Sequence, residues 1–529
     1  MHRRLSLAAL GAVLAISTAA AAQDAATLEH DVRVLAADNM EGREAGTRGH
    51  ERAVGYVAGR MATLGLAGGG DNGTYFQTVP LLRYERLPDG NALAIDGLDG
   101  LVLGTDYTLS GTAEAPSGTL EAELVFVGYG LDLPGRDDLA GVDLTGKIAV
   151  RTYGGPRMVN SEEAAHNRSG IADRVAARGA VGLLLLWTPL LEEARTWERS
   201  AKGSASAMTW ARPDGSGYSS APGLQVTGSL SAATARTLLA GQAFDYDDLI
   251  AAERTPEALV PAFPLGRTAR ISYASSFTRI DSPNVIGLLP GSDPALADQF
   301  VVLTAHLDHV GITQTETEGD DEIYNGAMDN AVGVASLLEV ARLLHDHRPR
   351  RPVLFVALTA EEKGLLGSSY HAANPGLASG RLVANVNLDM PIVAYDFRDV
   401  VAYGAERSNL YPAVQAAAAA LDLTFSPDPS PEQGFFVRSD QYSYVLRGIP
   451  AVNLDLGWAN GGQAAQENFL SQYYHQVGDE ADKVDWAALL RFTALNYAVA
   501  RNVADMALTP AWNPGDYFGE RYGPTAAIE

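Results

Sequence analysis

VVLTAHLDHV, residues 301–310, decides the fold. Val301-Val302-Leu303-Thr304 is apolar without alternation, as a strand covered on both faces must be. His306 and Asp308 follow it directly, two positions apart, so in extended chain they face one side. The same arrangement recurs outward. Val353–Leu358 reads as a strand and is followed by Glu361-Glu362, and Val383–Leu388 is followed by Asp389. Ala451–Leu454 is a further strand. Val332–Leu344 carries apolar residues at Val334, Leu337, Leu338, Ala341 and Leu344, the spacing of a helix. From Ala269 onward, strands alternating with helices predict an α/β fold. It is a mixed, mainly parallel sheet with helices on both faces.

The chain of 529 residues is 47% hydrophobic and 19% charged, enough to bury a large core. Its 64 acidic side chains outnumber the 39 basic ones, for a formal charge of −25. Such a surface repels phosphate backbones and anionic lipid, which excludes nucleic acid as a partner. With no cysteine, disulfide scaffolds, thiol catalysis and sulfur-ligated metals are excluded. A transition metal here would be held by His and carboxylate.

His2, Arg3 and Arg4, the apolar stretch Leu5–Ile16 and the small residues up to Ala22 read as a secretory signal, residues 1–22. Ala413–Leu421 is apolar but too short to span a bilayer. The expectation is an exported protein, periplasmic or extracellular and bacterial, with no membrane segment once the signal is cut. Residues 23–112 precede a distinct β-rich unit over 113–263. It carries strands at Leu124–Val127 and Lys147–Val150, and a helix that runs into the apolar stretch Ala180–Leu186. A core over 264–509 and a tail over 510–529 complete the chain.

The chemistry gathers where α/β sheets bind ligands, beyond the carboxyl ends of strands. His306, Asp308, Glu361, Glu362 and Asp389 stand there. Asp329 opens the Val332 helix and His475 lies in a late loop. Singly each is bland: Asp329 would serve as a helix cap and Glu361-Glu362 as a solvated helix start. Together they form an oxygen and nitrogen donor set suited to zinc and, less well, to manganese or cobalt. Spacing does not say which of Glu361 and Glu362 is a ligand and which a base. His309 is read as adjacent to the site and outside the ligand set. Glu316, Glu318, Asp320, Asp321 and Glu322 read as a solvated acidic loop.

TAHLDHVG, NGAMDNAVGVASLLEVAR, FVALTAEEKGLLGSSYH, NVNLDM and YHQVGDEADK occur in this order. Through them the run from Asn284 to about Ala507 resembles the dinuclear zinc aminopeptidases. That family includes bacterial leucyl aminopeptidase and aminopeptidase Y, with glutamate carboxypeptidase II as a relative. EGREAGTRGHERAVGYVA, from Glu41, is similar to the family's N-terminal segment. VFVGYG, GKIAV and RGAVGLLLL make residues 113–263 resemble an inserted protease-associated domain.

The resemblance implies two zinc ions, one held by His306 and Asp389, the other by Glu362 and His475, with Asp329 bridging. The Asp329–Asn330 peptide is often cis in such proteins. Asp308 would orient His306, and Glu361 would act as general base toward a water shared by the metals. Asp389 or a nearby acid would hold the substrate's α-ammonium. The implied activity is hydrolysis of N-terminal residues from peptides with a free N-terminus. The alternatives are a carboxypeptidase or dipeptidase of the glutamate carboxypeptidase type and a non-catalytic ectodomain on the same fold. Where some relatives place an oxyanion-supporting Tyr, this chain has Phe436, with Arg438, Tyr442 and Tyr444 as candidate substitutes. Side-chain preference and oligomeric state are not written in the motifs.

Overall fold

The computed structural model describes residues 24–155, 161–255, 258–313 and 320–523. The signal expected over 1–22 lies outside them, as do Glu316 and Glu318 of the acidic loop and the last six residues of the tail. The chain divides into two compact units, one of residues 1–79, 281–430 and 438–529, the other of 80–280 and 431–437.

In the first unit Gln299–His306 is central and parallel to both neighbours, Val353–Leu358 and Arg381–Asn387. Arg381–Asn387 pairs in parallel with Ala451–Leu456, and Asp399–Tyr403 lies antiparallel beyond it. On the other side, residues 285–289 of the strand Phe263–Leu289 run antiparallel to Val353–Leu358. The sheet is therefore mixed and mainly parallel, as the apolar runs predict.

Both faces are covered. Val301, Leu303, Ala305, Phe355 and Ala357 face one core, which also takes in the helices Ala25–Leu35, Arg48–Thr63, Val332–Asp346 and Trp486–Ala504. Val302, Leu354, Val356 and Leu358 face the other, with Ala372 of helix Leu366–Ala373 and Tyr444 of helix Gln441–Val445. Odd and even positions serve different cores, which is why the strands lack polar alternation. In the register, His306 stands opposite Leu358 and Thr304 opposite Asn387. The residues that follow these three strands thus emerge at one edge of the sheet.

The second unit has its own sheet. Ser117–Phe126, Ile148–Arg151, Gly182–Leu186 and Val226–Leu230 are parallel neighbours, flanked by antiparallel Tyr107–Gly111 and by residues 263–274. Its boundaries are wider than the expected 113–263. Ala92–Ile95 pairs with residues 269–272 and Tyr107–Gly111 with Val226–Leu230. Those pairings are long in sequence, so composition and local pattern do not reveal them. Helices pack against this sheet too, Ala232–Leu239 and Tyr246–Glu253 in one core and Ile171–Ala177 in another.

The tail is partly helical. Asp516 caps helix Tyr517–Tyr522 and Phe518 is fully buried. No helix among the described residues is long and apolar enough to cross a membrane.

Candidate metal centre

His306 is the last residue of its strand and is 1% exposed. Its Nε2 lies 2.9 Å from Asp389 Oδ1 and 3.2 Å from Asp329 Oδ1. The other oxygen of Asp329 lies 3.3 Å from His475 Nε2. His475 Nε2 is also 3.1 Å from Glu362 Oε2, whose companion Oε1 lies 2.8 Å from His309 Nδ1. Two clusters of donor atoms result: His306, Asp329 and Asp389, and His309, Asp329, Glu362 and His475, each within 4.8 Å. Asp329 belongs to both, one oxygen turned to each. Glu361 belongs to neither.

Sharp backbone turns deliver these residues. Ala360, Met390 and His475 adopt positive φ, and so does Gly326 ahead of Asp329. Non-glycine residues rarely sit there, and they concentrate where the surrounding structure imposes the conformation. The Asp329–Asn330 peptide is cis. The Asn330 side chain joins two loops. Its amide donates to Leu388 O at 2.9 Å and its oxygen accepts from Gly333 N and Met390 N, both at 3.1 Å.

Behind the donors stand polar groups that hold them in place. Ser439 Oγ accepts from Asn387 Nδ2 and from Asp440 N, both at 2.7 Å, so its own proton goes to Asp389 Oδ2. Asp479 accepts from Met328 N at 2.9 Å and Asp329 N at 3.0 Å.

Asp308 differs from expectation. His306 Nδ1 lies 3.0 Å from its main-chain carbonyl, while its carboxylate accepts from Glu361 N at 3.0 Å and Glu362 N at 3.3 Å. The strand ends at His306, so period-two alternation no longer governs where Asp308 points. His309 follows the same break, and its Nδ1 meets Glu362 within the second group of donor atoms. Asp479 was not singled out by sequence, although Y-H-Q-V-G-D puts it four residues after His475. Tyr474 stacks on His475 with ring centroids 4.1 Å apart. Tyr444, weighed as oxyanion support, is buried and its hydroxyl is 2.8 Å from His371 Nδ1, a packing role.

The charge balance shows what the site lacks. Burial pushes the carboxyls of Asp308, Asp440 and Asp479 up to about 7. Burial, together with Asp389, Glu362 and Asp440, holds Glu361 well above the usual range. The imidazoles answer this. Burial would lower His306, but Asp389 and the bonds to Asp329 and Asp389 hold it well above 6.5. Burial likewise opposes His475, which its bonds to Asp329 and Glu362 bring to about 10. An excess of buried carboxylate, imidazole nitrogens converging on it and no sulfur fit a divalent cation of the zinc type.

Residues 284–500 match the model of peptidase family M28. The chain is similar to aminopeptidase Y of Saccharomyces cerevisiae, 29% identical over 237 residues, 43% of this chain and 39% of that protein. It is also similar to a probable zinc metalloprotease of Pyrenophora teres f. teres, 35% identical over 124 residues, 23% of this chain and 26% of that protein. It spans well under half the length of these two relatives. Among solved structures, an aminopeptidase from Aneurinibacillus sp. strain AM-1 aligns over 93% of this chain and 96% of that one at 20% identity, with a TM-score of 0.49. All six residues of the two donor clusters lie within the segment, residues 284–500, that matches the model of peptidase family M28.

Proposed function

We propose that the chain is a zinc-dependent aminopeptidase. The reading rests on one observation: Asp329 shares its two oxygens between two donor clusters, while the neighbouring carboxylates Glu361 and Glu362 divide, one outside and one inside. His306 and Asp389 would hold one zinc, Glu362 and His475 the other, with Asp329 between them. The ions would supply Lewis acidity to the scissile carbonyl and to a water. His309 is the hydrogen-bond partner that fixes Glu362.

The chain's own groups do the rest. Glu361, free of the donor clusters and held above the usual carboxylate range by its neighbours, takes a proton from water and returns it to the leaving amine. Asp308 fixes the backbone of both glutamates, and Ser439 fixes Asp389. Surplus carboxylate around the site suits a substrate's α-ammonium. Export, with a periplasmic or extracellular location, is part of the reading and rests on residues 1–22. Residues 113–263, within the second unit, are read as a protease-associated domain.

The test compares three versions of one peptide: free, N-acetylated and C-terminally amidated. An unpartnered buried charge in the site is costly, so acetylation is expected to lower kcat/KM by about 10²-fold or more while amidation changes it little. Zinc analysis should find two ions per chain. Fast cleavage of the acetylated peptide with resistance of the amide would replace this reading with a carboxypeptidase. Full activity after exhaustive chelation would remove the hydrolase mechanism, and no cleavage by zinc-loaded protein would leave a binding ectodomain.

A further inference from the structure

The motif around Glu41 is not absorbed by the donor set, yet it reaches it. Glu41, Gly42 and Arg43 all adopt positive φ, at 52°, 64° and 51°. A Cβ on Gly42 would stand 2.1 Å from Gly311 O, so only glycine allows this approach. Gly311 N donates to Gly42 O at 3.0 Å and His309 N to Arg43 O at 3.4 Å. The turn thereby lies flat on the loop that follows His306.

Arg43 is 1% exposed. Its Nε donates to Leu307 O at 2.9 Å. Its Nη1 donates to Leu35 O and Asn325 O, both at 2.6 Å, and its Nη2 to Gly326 O at 2.9 Å. Leu307 sits between His306 and Asp308, and Asn325-Gly326 leads into Asp329. Three of the four acceptors thus belong to loops that carry donors of the metal centre, 264 to 283 residues away in sequence. Every one of these acceptors is a neutral carbonyl. A guanidinium buried without a contacting carboxylate would be costly by itself. Here burial draws Arg43 down to about 10, with Asp479, Asp329, Asp308 and Glu362 acting against it, so it stays a cation at neutral pH. A planar fork that serves two loops at once is a task lysine does not perform.

We propose that Arg43 is a positioning residue of the metal centre: its guanidinium ties the loop after His306 to the loop before Asp329, and so sets the separation of those two donors. Arg43 precedes the matched segment 284–500, so that segment does not hold the centre in shape by itself. The proposal rests on the reading that His306 and Asp329 bind zinc.

The test is zinc affinity by chelator competition on full-length protein, for Arg43→Lys, Arg43→Ala and the control His306→Ala. Arg43→Lys keeps the charge and loses the fork, and is expected to bind zinc about 10–100-fold more weakly, the usual effect of losing an outer-shell partner. At saturating zinc its kcat should fall while KM changes little, and guanidinium ion should restore part of the affinity of Arg43→Ala. Unchanged affinity in Arg43→Lys, with His306→Ala impaired, overturns the proposal. Unchanged affinity in His306→Ala overturns the underlying metal reading instead. If Arg43→Lys is unfolded without metal, excess zinc should refold it by linkage. Failure to refold would assign Arg43 to the fold alone and overturn the proposal as well.

Discussion

Glu361 and Glu362 are chain neighbours with different surroundings. Glu362 places both oxygens on imidazoles, and Glu361 places neither. Glu361→Gln is therefore expected to retain zinc and substrate affinity while kcat falls by ~10²–10⁴. Glu362→Gln should lower zinc content. Metal analysis beside steady-state kinetics distinguishes the two, and the opposite pattern would exchange their roles. Asp479 permits a second prediction at this scale. Its two oxygens accept from the amides of Met328 and Asp329. In Asp479→Asn one of those amides faces an NH2 group. A buried donor left unmatched costs about 1–3 kcal/mol, a loss that urea unfolding would read. Zinc affinity should fall with it, because the Asp329 loop loses an anchor. Stability and affinity equal to the parent's would mean that the loop is held by Asn330 and Arg43 without Asp479.

At the scale of elements, two helices bury histidines outside the metal centre. His371 of helix Leu366–Ala373 bonds Tyr444 through Nδ1, and its Nε2 is buried without a hydrogen-bond partner. Burial lowers its pKa from 6.5 to about 4. His50 of helix Arg48–Thr63 is lowered to about 3 by burial and by Arg43. Both folded values lie below the unfolded one, so the unfolded chain takes up protons first as pH falls. The stability held by the neutral rings is complete above about pH 6.5 and is lost as pH descends through the folded values. For His371 the full loss is on the order of 3 kcal/mol. His371→Gln, measured in chelator so that metal release does not intrude, should show a shallower fall in unfolding free energy between pH 6.5 and 4. An unchanged slope would show that the ring is already protonated in the folded state.

At the scale of the whole molecule, the two units have separate cores, and both donor clusters lie in the first. A ligand that binds only folded protein stabilises it by about 4 kcal/mol at a thousandfold excess over its Kd. Calorimetry should therefore resolve two transitions. Chelation should lower the midpoint of one by several degrees and leave the other, assigned to residues 80–280, in place. A shift of both midpoints together would mean that the units unfold as one.

The sheet was legible because burial on both faces leaves a local mark. Val301–Thr304, Val353–Leu358 and Val383–Leu388 cannot alternate when each face meets a core, and each is followed within four residues by a side chain able to bind metal. The five motif stretches carry His306, Asp329, Glu362, Asp389 and His475, which the fold gathers into the two donor clusters. The boundary of the second unit was not legible, because Ala92–Ile95 and Tyr107–Gly111 find partners more than a hundred residues away. Nor was the direction of Asp308 or the membership of His309, since a turn after a strand follows no period. The division of labour between Glu361 and Glu362 is the same kind of fact. Adjacent, chemically identical side chains are told apart only by what the fold brings to each. Arg43 lies further still from local pattern: its meaning is four carbonyls gathered from three places in the chain. Residue type and spacing determined which chemistry the chain can hold, because strand and helix periods are local. Which atom meets which was decided by the tertiary structure, because hydrogen bonds and charges act through space.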